Sequence, residues 1–202
     1  MDRCEICKMG DSMKNKRAVA MFGQKRLSRE GGIEIVVKEL CTRMARDGYK
    51  ITCYNRSGHH VSGAEYDKKI EYKGICQKYV PTIEKKGLAA VSSSFFAAVY
   101  SAFGKYDVVH FHAEGPCAML WLPKLFGKRC VATIHGLDHQ RAKWGKLAST
   151  YIMMGEKCAV KHADEIIDFL KRVISVILNQ DIKAVLQYCT VPQILYYVLS
   201  AI

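Results

Sequence analysis

Long apolar runs are missing from this sequence. No uninterrupted apolar stretch reaches the ~18 residues that a membrane-spanning helix needs. The first residues, MDRCEICKMGDS, are polar and lack the apolar core of a secretory signal peptide. We therefore expect the protein in the cytoplasm, and a peripheral position at the inner face of the membrane is a second expectation.

Metal-ligand patterns are also scarce. The nine cysteines make an odd count without a regular framework, which argues against a secreted disulfide scaffold. Cys4 and Cys7 form one CxxC, but no second pair and no neighbouring histidine complete the about four ligands of a structural zinc site. Cys41, Cys53 and Cys130 lie in apolar runs and are typical of small core residues. We expect no bound metal.

Acidic residues are few relative to basic ones. The chain has 31 lysines and arginines against 19 aspartates and glutamates, a formal net charge of +12. This charge favours anionic partners such as a phosphate-bearing ligand, an anionic membrane or a nucleic acid. The basic residues are spread out, apart from a denser region over 14–29, so a solvated basic surface explains them equally well. Nucleic acid is the partner that we do not expect.

Short apolar runs alternate with longer segments of helical periodicity. The predicted strands are RAVAMFG, KITCYN, IEYKGICQKYV (one strand or a hairpin), YDVVHFHAEGP, KRCVATIHG and EIIDFL. The predicted helices cover 32–47, 87–103 and 143–162, with a short one in AMLWLPKLFG that kinks or ends near Pro123. This alternation predicts an α/β fold, an open parallel sheet with helices on both faces.

Three loops should meet at one edge of this sheet, because ligands of open α/β sheets bind beyond the carboxyl ends of the strands. The loops cover 24–32, 110–115 and 135–138. In SREGGIEIVVKEL, Gly31 and Gly32 would let backbone N–H groups approach a phosphate at the positive end of the following helix. Close packing explains the glycine pair as well. The spacing of a dinucleotide fingerprint or of a P-loop is absent.

Histidines are the other candidate site residues. His110 and His112 alternate with Phe111, so both should lie on one face of their strand. We expect His112 to reach the cleft and His110 to be a core residue. His135 ends the next strand, where it can contact a sugar hydroxyl or a phosphate oxygen.

Two carboxylates stand in the same loops. Glu114 and Asp138 can accept hydrogen bonds from ligand hydroxyls, and helix capping is the alternative for both. No D-x-D is present, which argues against a diphosphate held through an Asp-bound metal, and no G-x-S-x-G suggests a hydrolase.

Four blocks in this order resemble a known family: REGGIEIVVKEL, CYNRSGHHVSG, DVVHFHAEGPCAMLWLPKLFGKR and ATIHGLDHQRAKWGK. They are similar to the N-terminal half of bacterial family 4 glycosyltransferases, including rhamnosyltransferase-like enzymes of cell-surface polysaccharide assembly. The resemblance implies a Rossmann-like domain, the acceptor-side half of the two-domain GT-B fold. It also implies a retaining transfer without metal or other cofactor, from a nucleotide sugar to a saccharide or lipid-linked acceptor.

The resemblance implies roles for single residues as well. Gly31 and Gly32 correspond to the loop at the donor diphosphate, and His135 to the histidine near the transferred sugar. His112, Glu114 and Asp138 remain candidate substrate-binding residues.

The predicted domain covers 13–168, after an extension over 1–12. In place of the family's donor domain, the segment 169–202 is apolar, and we expect it to be helical. It is either an interaction segment or the product of a frameshift. We therefore expect weak or no transfer activity from this chain alone. The alternative function is a non-catalytic module that binds an acceptor, a membrane surface or a partner chain.

Overall fold

Seven strands form one sheet in the computed structural model, which describes residues 17–29, 31–58, 69–85, 87–136 and 145–168. The strands are β1 (Ala18–Phe22), β2 (Lys50–Arg56), β3 (Glu71–Tyr72), β4 (Ile75–Val80), β5 (Val108–His112), β6 (Arg129–Ile134) and β7 (Glu165–Asp168). Their order across the sheet is β3-β4-β2-β1-β5-β6-β7. All neighbouring pairs are parallel except β3 and β4. The predicted parallel sheet is confirmed.

Five helices cover the two faces of the sheet: α1 (Gly32–Arg46), α2 (Leu88–Phe103), α3 (Glu114–Cys117), α4 (Trp121–Leu125) and α5 (Lys146–His162). The apolar positions of α1, among them Val37 and Leu40, pack with Met21 of β1 and Val131 of β6. The opposite face of the sheet packs against α2 and its neighbours around Phe111. Because helices cover both faces, the central strands β1, β2 and β5 are buried along most of their length.

A sulfur cluster lies within the core beside α1. The thiol of Cys41 donates to the sulfur of Met21 at 3.0 Å, and its Sγ lies 3.4 Å from Sγ of Cys53. The three residues belong to α1, β1 and β2, so the contacts join a helix to two neighbouring strands. Cys41 and Cys53 are core residues, as predicted; both are free and buried.

Three local features differ from the sequence predictions or complete them. The strand-or-hairpin segment is a hairpin, and its two turn residues, Lys73 and Gly74, both have positive φ, as a tight hairpin turn requires. Residues predicted as loop after β5 form α3.

Pro123 lies inside α4 and does not end it. It is the third residue of that helix, where the missing N–H would have had no partner within the helix.

Several predictions fall outside the described residues: the extension over 1–12 with Cys4 and Cys7, the loop residue Asp138, and the tail over 169–202. Within the described part of the chain, no helix is long and apolar enough to cross a bilayer.

Helix α5 makes its closest approach to α3 at Gly155. A Cβ at Gly155 would lie 1.9 Å from the backbone oxygen of Glu114 and 3.1 Å from the backbone nitrogen of Ala118. Backbone atoms cannot turn aside as a flexible side chain can. The glycine therefore sets the distance between the two helices, and with it the position of the segment that follows β5.

The substitution Gly155→Ala should lower the free energy of unfolding by about 2 kcal/mol or more, because the two helices must move apart. Gly32→Ala is the matched control in another helix, where an added Cβ meets no atom within 4 Å. It should be neutral or stabilising by about 0.4–1 kcal/mol. Urea unfolding of both variants checks this, and equal stabilities would contradict the packing described for α3 and α5.

Candidate functional site

The carboxyl ends of β1, β5 and β6 lie side by side at the centre of the sheet. Phe22 pairs with Phe111, and His112 pairs with Thr133. Because these strands are parallel, the segments after Phe22, His112 and Ile134 leave the sheet at one edge. This edge therefore brings together two of the three predicted site loops and the start of the third, 135–136.

Three histidines lie next to one another on one face of the sheet and form a row that ends at this edge: His110, His112 and His135. The rings of His110 and His112 have centroids 4.2 Å apart, and those of His112 and His135 are 5.5 Å apart. Nδ1 of His112 lies 3.2 Å from Nε2 of His135, a hydrogen-bond distance. Nε2 of His110 lies 2.8 Å from Oγ1 of Thr133. The same-face prediction for His110 and His112 holds.

Exposure divides the row into buried and accessible members. His110 and His112 are both fully buried, whereas His135 is half-buried at the edge. His110 is thus a core residue, as predicted. His112 has no surface of its own here and reaches the edge through its contact with His135. Its other nitrogen, Nε2, is buried and has no hydrogen-bond partner among the described residues.

Burial also sets the charge of these rings. Burial, with a smaller contribution from the nearby His135, lowers the pKa of His110 to about 3. Burial, followed by repulsion from His110 and His135, lowers the pKa of His112 well below its ordinary value. Both rings are therefore neutral at physiological pH, and each carries a single ring proton.

The backbone at the end of β5 is held from two sides. Ala113 has φ +74°, a conformation that non-glycine residues rarely adopt, and its N–H donates to the backbone oxygen of Thr133 at 2.9 Å. On the other side, a Cβ at Gly23 would lie 2.0 Å from the backbone oxygen of His112. Strain of this kind persists only where the surroundings enforce it, and it often marks functional sites.

The glycine pair stands at the start of α1, with Gly31 as the N-cap and Gly32 as the first residue. A Cβ at Gly31 would lie 2.3 Å from a carboxylate oxygen of Glu34, whose other oxygen accepts from the backbone N–H of Lys25 at 3.1 Å. Gly31 therefore has a packing role, since a side chain there would displace the Glu34 carboxylate. A Cβ at Gly32 would have open space around it. The phosphate contact predicted for the pair remains a prediction.

The two predicted carboxylates have different outcomes. Glu114 is the first residue of α3 and is fully buried, with its backbone oxygen against α5. Its contact with a ligand hydroxyl remains a prediction, and so does that of Asp138, which lies outside the described residues. No group of three or more histidines, cysteines, aspartates or glutamates within the described ranges is arranged to hold a metal ion.

The sequence analysis did not single out a second set of polar residues at the same edge. Gln24 donates through Nε2 to the backbone oxygen of Tyr54 at 3.2 Å, and the side-chain oxygen of Asn55 accepts from Leu27 N–H at 3.1 Å. Asn55 in turn donates to Gln77 at 3.0 Å. These bonds fix the loop after β1 to the ends of β2 and β4. The signal in the sequence was a polar Asn-Arg pair ending an apolar strand.

Comparison with known families now decides the classification. The glycosyltransferase family 4 model matches residues 30–167, more than half of the chain. The chain belongs to glycosyltransferase family 4. The match begins just before the Gly31–Gly32 pair and ends within β7, so it covers α1 and the histidine row.

Solved structures agree with the fold. HepE from Anabaena, crystallised in complex with UDP and glucose, is 12% identical, with a TM-score of 0.50 over 75% of this chain and 38% of HepE. A sucrose-phosphate synthase from Thermosynechococcus elongatus is 17% identical, with a TM-score of 0.50 over 75% of this chain and 42% of that enzyme. This family 4 chain therefore has the Rossmann-like architecture of GT-B glycosyltransferases and spans less than half the length of either protein. No curated protein sequence matches it.

The buried histidines should make this family 4 domain sensitive to acid. A ring whose folded pKa is depressed binds its proton only after unfolding, so stability is full above the unfolded pKa and falls below it. For His110, with a folded pKa of about 3, lowering the pH from 7 to 5 should cost about 2 kcal/mol of unfolding free energy.

The substitution His110→Gln keeps a polar group near Thr133 and removes the titrating ring, so it should reduce this pH-dependent loss. His162→Gln, at the end of α5 and outside the row, is the control and should not change it. The measurement is urea unfolding at both pH values. If the wild type and His110→Gln lose the same free energy, His110 is not the source of the acid sensitivity.

Proposed function

We propose that this chain is the acceptor-side half of a glycosyltransferase, which transfers a hexosyl or rhamnosyl residue from a nucleotide sugar to a saccharide or lipid-linked acceptor. The family 4 match over 30–167 carries the proposal, because it coincides with the sheet whose carboxyl edge bears His135. Cell-surface polysaccharide synthesis is the process we propose for it, in the cytoplasm or at the inner face of the membrane.

His135 is the residue we place at the transferred sugar. It is half-buried, so one side of the ring is open to a ligand, while its Nε2 contacts the neutral His112. A neutral partner constrains the ring without adding a second charge. His112 is thus a positioning residue in this proposal, and Glu114 and Asp138 are the proposed partners of substrate hydroxyls.

The start of α1 is where we place the donor diphosphate. The helix has 15 residues, its first turn offers free backbone N–H groups, and the space around Gly32 is open. These N–H groups, with basic side chains, would stabilise the charge of the departing nucleotide diphosphate. The proposed reaction thus requires no metal or other cofactor.

Binding of UDP-glucose to the ¹⁵N-labelled 202-residue protein tests these roles. The ligand should shift the backbone amide signals of Gly31 and Gly32 and the ring signals of His135. His135→Ala should weaken binding by about tenfold through the loss of one or two hydrogen bonds, while His162→Ala should not change it. Shifts confined to other parts of the domain would contradict the assignment.

The formal net charge of +12 supports the second candidate, a non-catalytic module that binds an acceptor, an anionic membrane surface or a partner chain. We expect no UDP release from UDP-glucose by the 202-residue protein alone. Detectable turnover would contradict the half-enzyme proposal. Without turnover, retention on anionic but not neutral vesicles would favour a module at the membrane surface.

A further inference from the structure

A small pocket opens at the carboxyl edge on the side of β2, on the α2 face of the sheet and away from the histidine row. Its polar lining comes from Gln24, Arg56, Ser93 and Ser94, and its apolar lining includes Phe22 and Val80. It lies where the loop after β1 meets the ends of β2 and β4, and α2 contributes both serines. No role proposed above uses this pocket.

Gln24 lines the pocket and has an unused acceptor. Its side chain is only 2% exposed, and Nε2 holds it in place through the oxygens of Tyr54 and Asn55. Oε1 is buried and accepts no hydrogen bond from the described residues. A buried acceptor without a hydrogen bond is unfavourable, so this oxygen favours any group that donates a proton to it.

Arg56 lines the same pocket and has an unused donor. Its Nε is buried and lacks a hydrogen-bond partner within the described part of the chain. Its backbone is fixed, since its N–H donates to Lys25 and its carbonyl accepts from Nε of Arg26 at 3.0 Å. Burial lowers the pKa of the guanidinium, Glu34 opposes this, and Arg29 adds to it. The charge is thus partly balanced from within the protein.

An unused acceptor and an unused donor in one pocket select for a group that can both donate and accept. A hydroxyl does both, because its proton can go to Gln24 and its lone pairs can accept from Arg56. A carboxylate oxygen would satisfy Arg56 and leave two acceptors facing each other at Gln24. An apolar group would satisfy neither residue.

We propose that the Gln24–Arg56 pocket binds one hydroxyl group of a saccharide, the acceptor of the transfer reaction. The assignment to the acceptor rests on the proposed function, but the hydroxyl selectivity rests on these two side chains alone. Ser93 and Ser94 already donate to the backbone oxygen of Ala90, and the pocket of about 10 Å³ has room for one hydroxyl group between Gln24 and Arg56.

The test is an NMR titration of the ¹⁵N-labelled full chain at pH 7 with D-glucose as the neutral probe and acetate as the anionic, acceptor-only one. Glucose should shift the Nε–H signal of Arg56 and the side-chain amide signals of Gln24, and the shifts should saturate. Acetate should leave both sets of signals unchanged. Saturable acetate shifts without glucose shifts, or no shifts with either probe, would overturn the proposal.

Arg56→Lys keeps the positive charge and the backbone bonds but removes Nε–H. It should weaken glucose binding by about fivefold, the effect of one hydrogen bond. Arg129→Lys, at the opposite edge of the sheet, is the matched control and should leave binding unchanged. Equal weakening by both substitutions would also overturn the assignment.

The same samples separate this proposal from the proposed function. UDP-glucose shifts at Gly32 and His135 report on the donor side and should persist in Arg56→Lys. If those shifts are absent while the glucose shifts at Arg56 remain, the glycosyltransferase proposal fails and the pocket stands as a saccharide-binding site. The reverse result removes the pocket alone.

Discussion

The candidate site depends on how tightly three strands converge at the end of β5. The backbone oxygen of His112 occupies the space that a side chain at Gly23 would need, and Ala113 adopts its rare conformation while bonded to Thr133. These two contacts fix the direction in which the chain leaves the sheet. They place His112 under His135 and start α3 at once, which brings that helix against Gly155 of α5. Without these two contacts, the chain would leave β5 in a less fixed direction. The positions of His135, α3 and α5 would then be less fixed as well.

The close packing at the end of β5 removes hydration from two histidines and gives His135 a neutral neighbour. Two imidazoles sealed in the sheet give up hydration, and their neutral state restricts each to one donor and one acceptor. In return, the half-buried His135 has a neighbour that adds no charge at the edge of the sheet. A carboxylate or an ammonium group in place of His112 would bring a buried charge to the same place.

The alternating pattern predicted the strands and α1 well, because fully apolar strands and a helical stripe such as Val37, Leu40 and Met44 are direct consequences of burial. It failed at α3, since the turn that starts this helix depends on the strained Ala113, and alanine carries no turn signal. It also missed Gln24 and Arg56. Each of these residues has a buried polar atom without a hydrogen-bond partner among the described residues. The periodicity of a sequence does not reveal such atoms. The predicted same-face histidines follow from strand geometry, whereas the burial of His112 follows from neighbours on other strands.

The sulfur cluster of Cys41, Cys53 and Met21 makes it possible to measure how often α1 separates from the sheet. Burial raises the pKa of the Cys41 thiol, so the reactive thiolate is scarce while α1 remains seated on β1 and β2. An alkylating reagent can therefore modify Cys41 only during excursions that lift the helix from the sheet. The rate of that modification measures how often the glycine loop at the start of α1 loses its support.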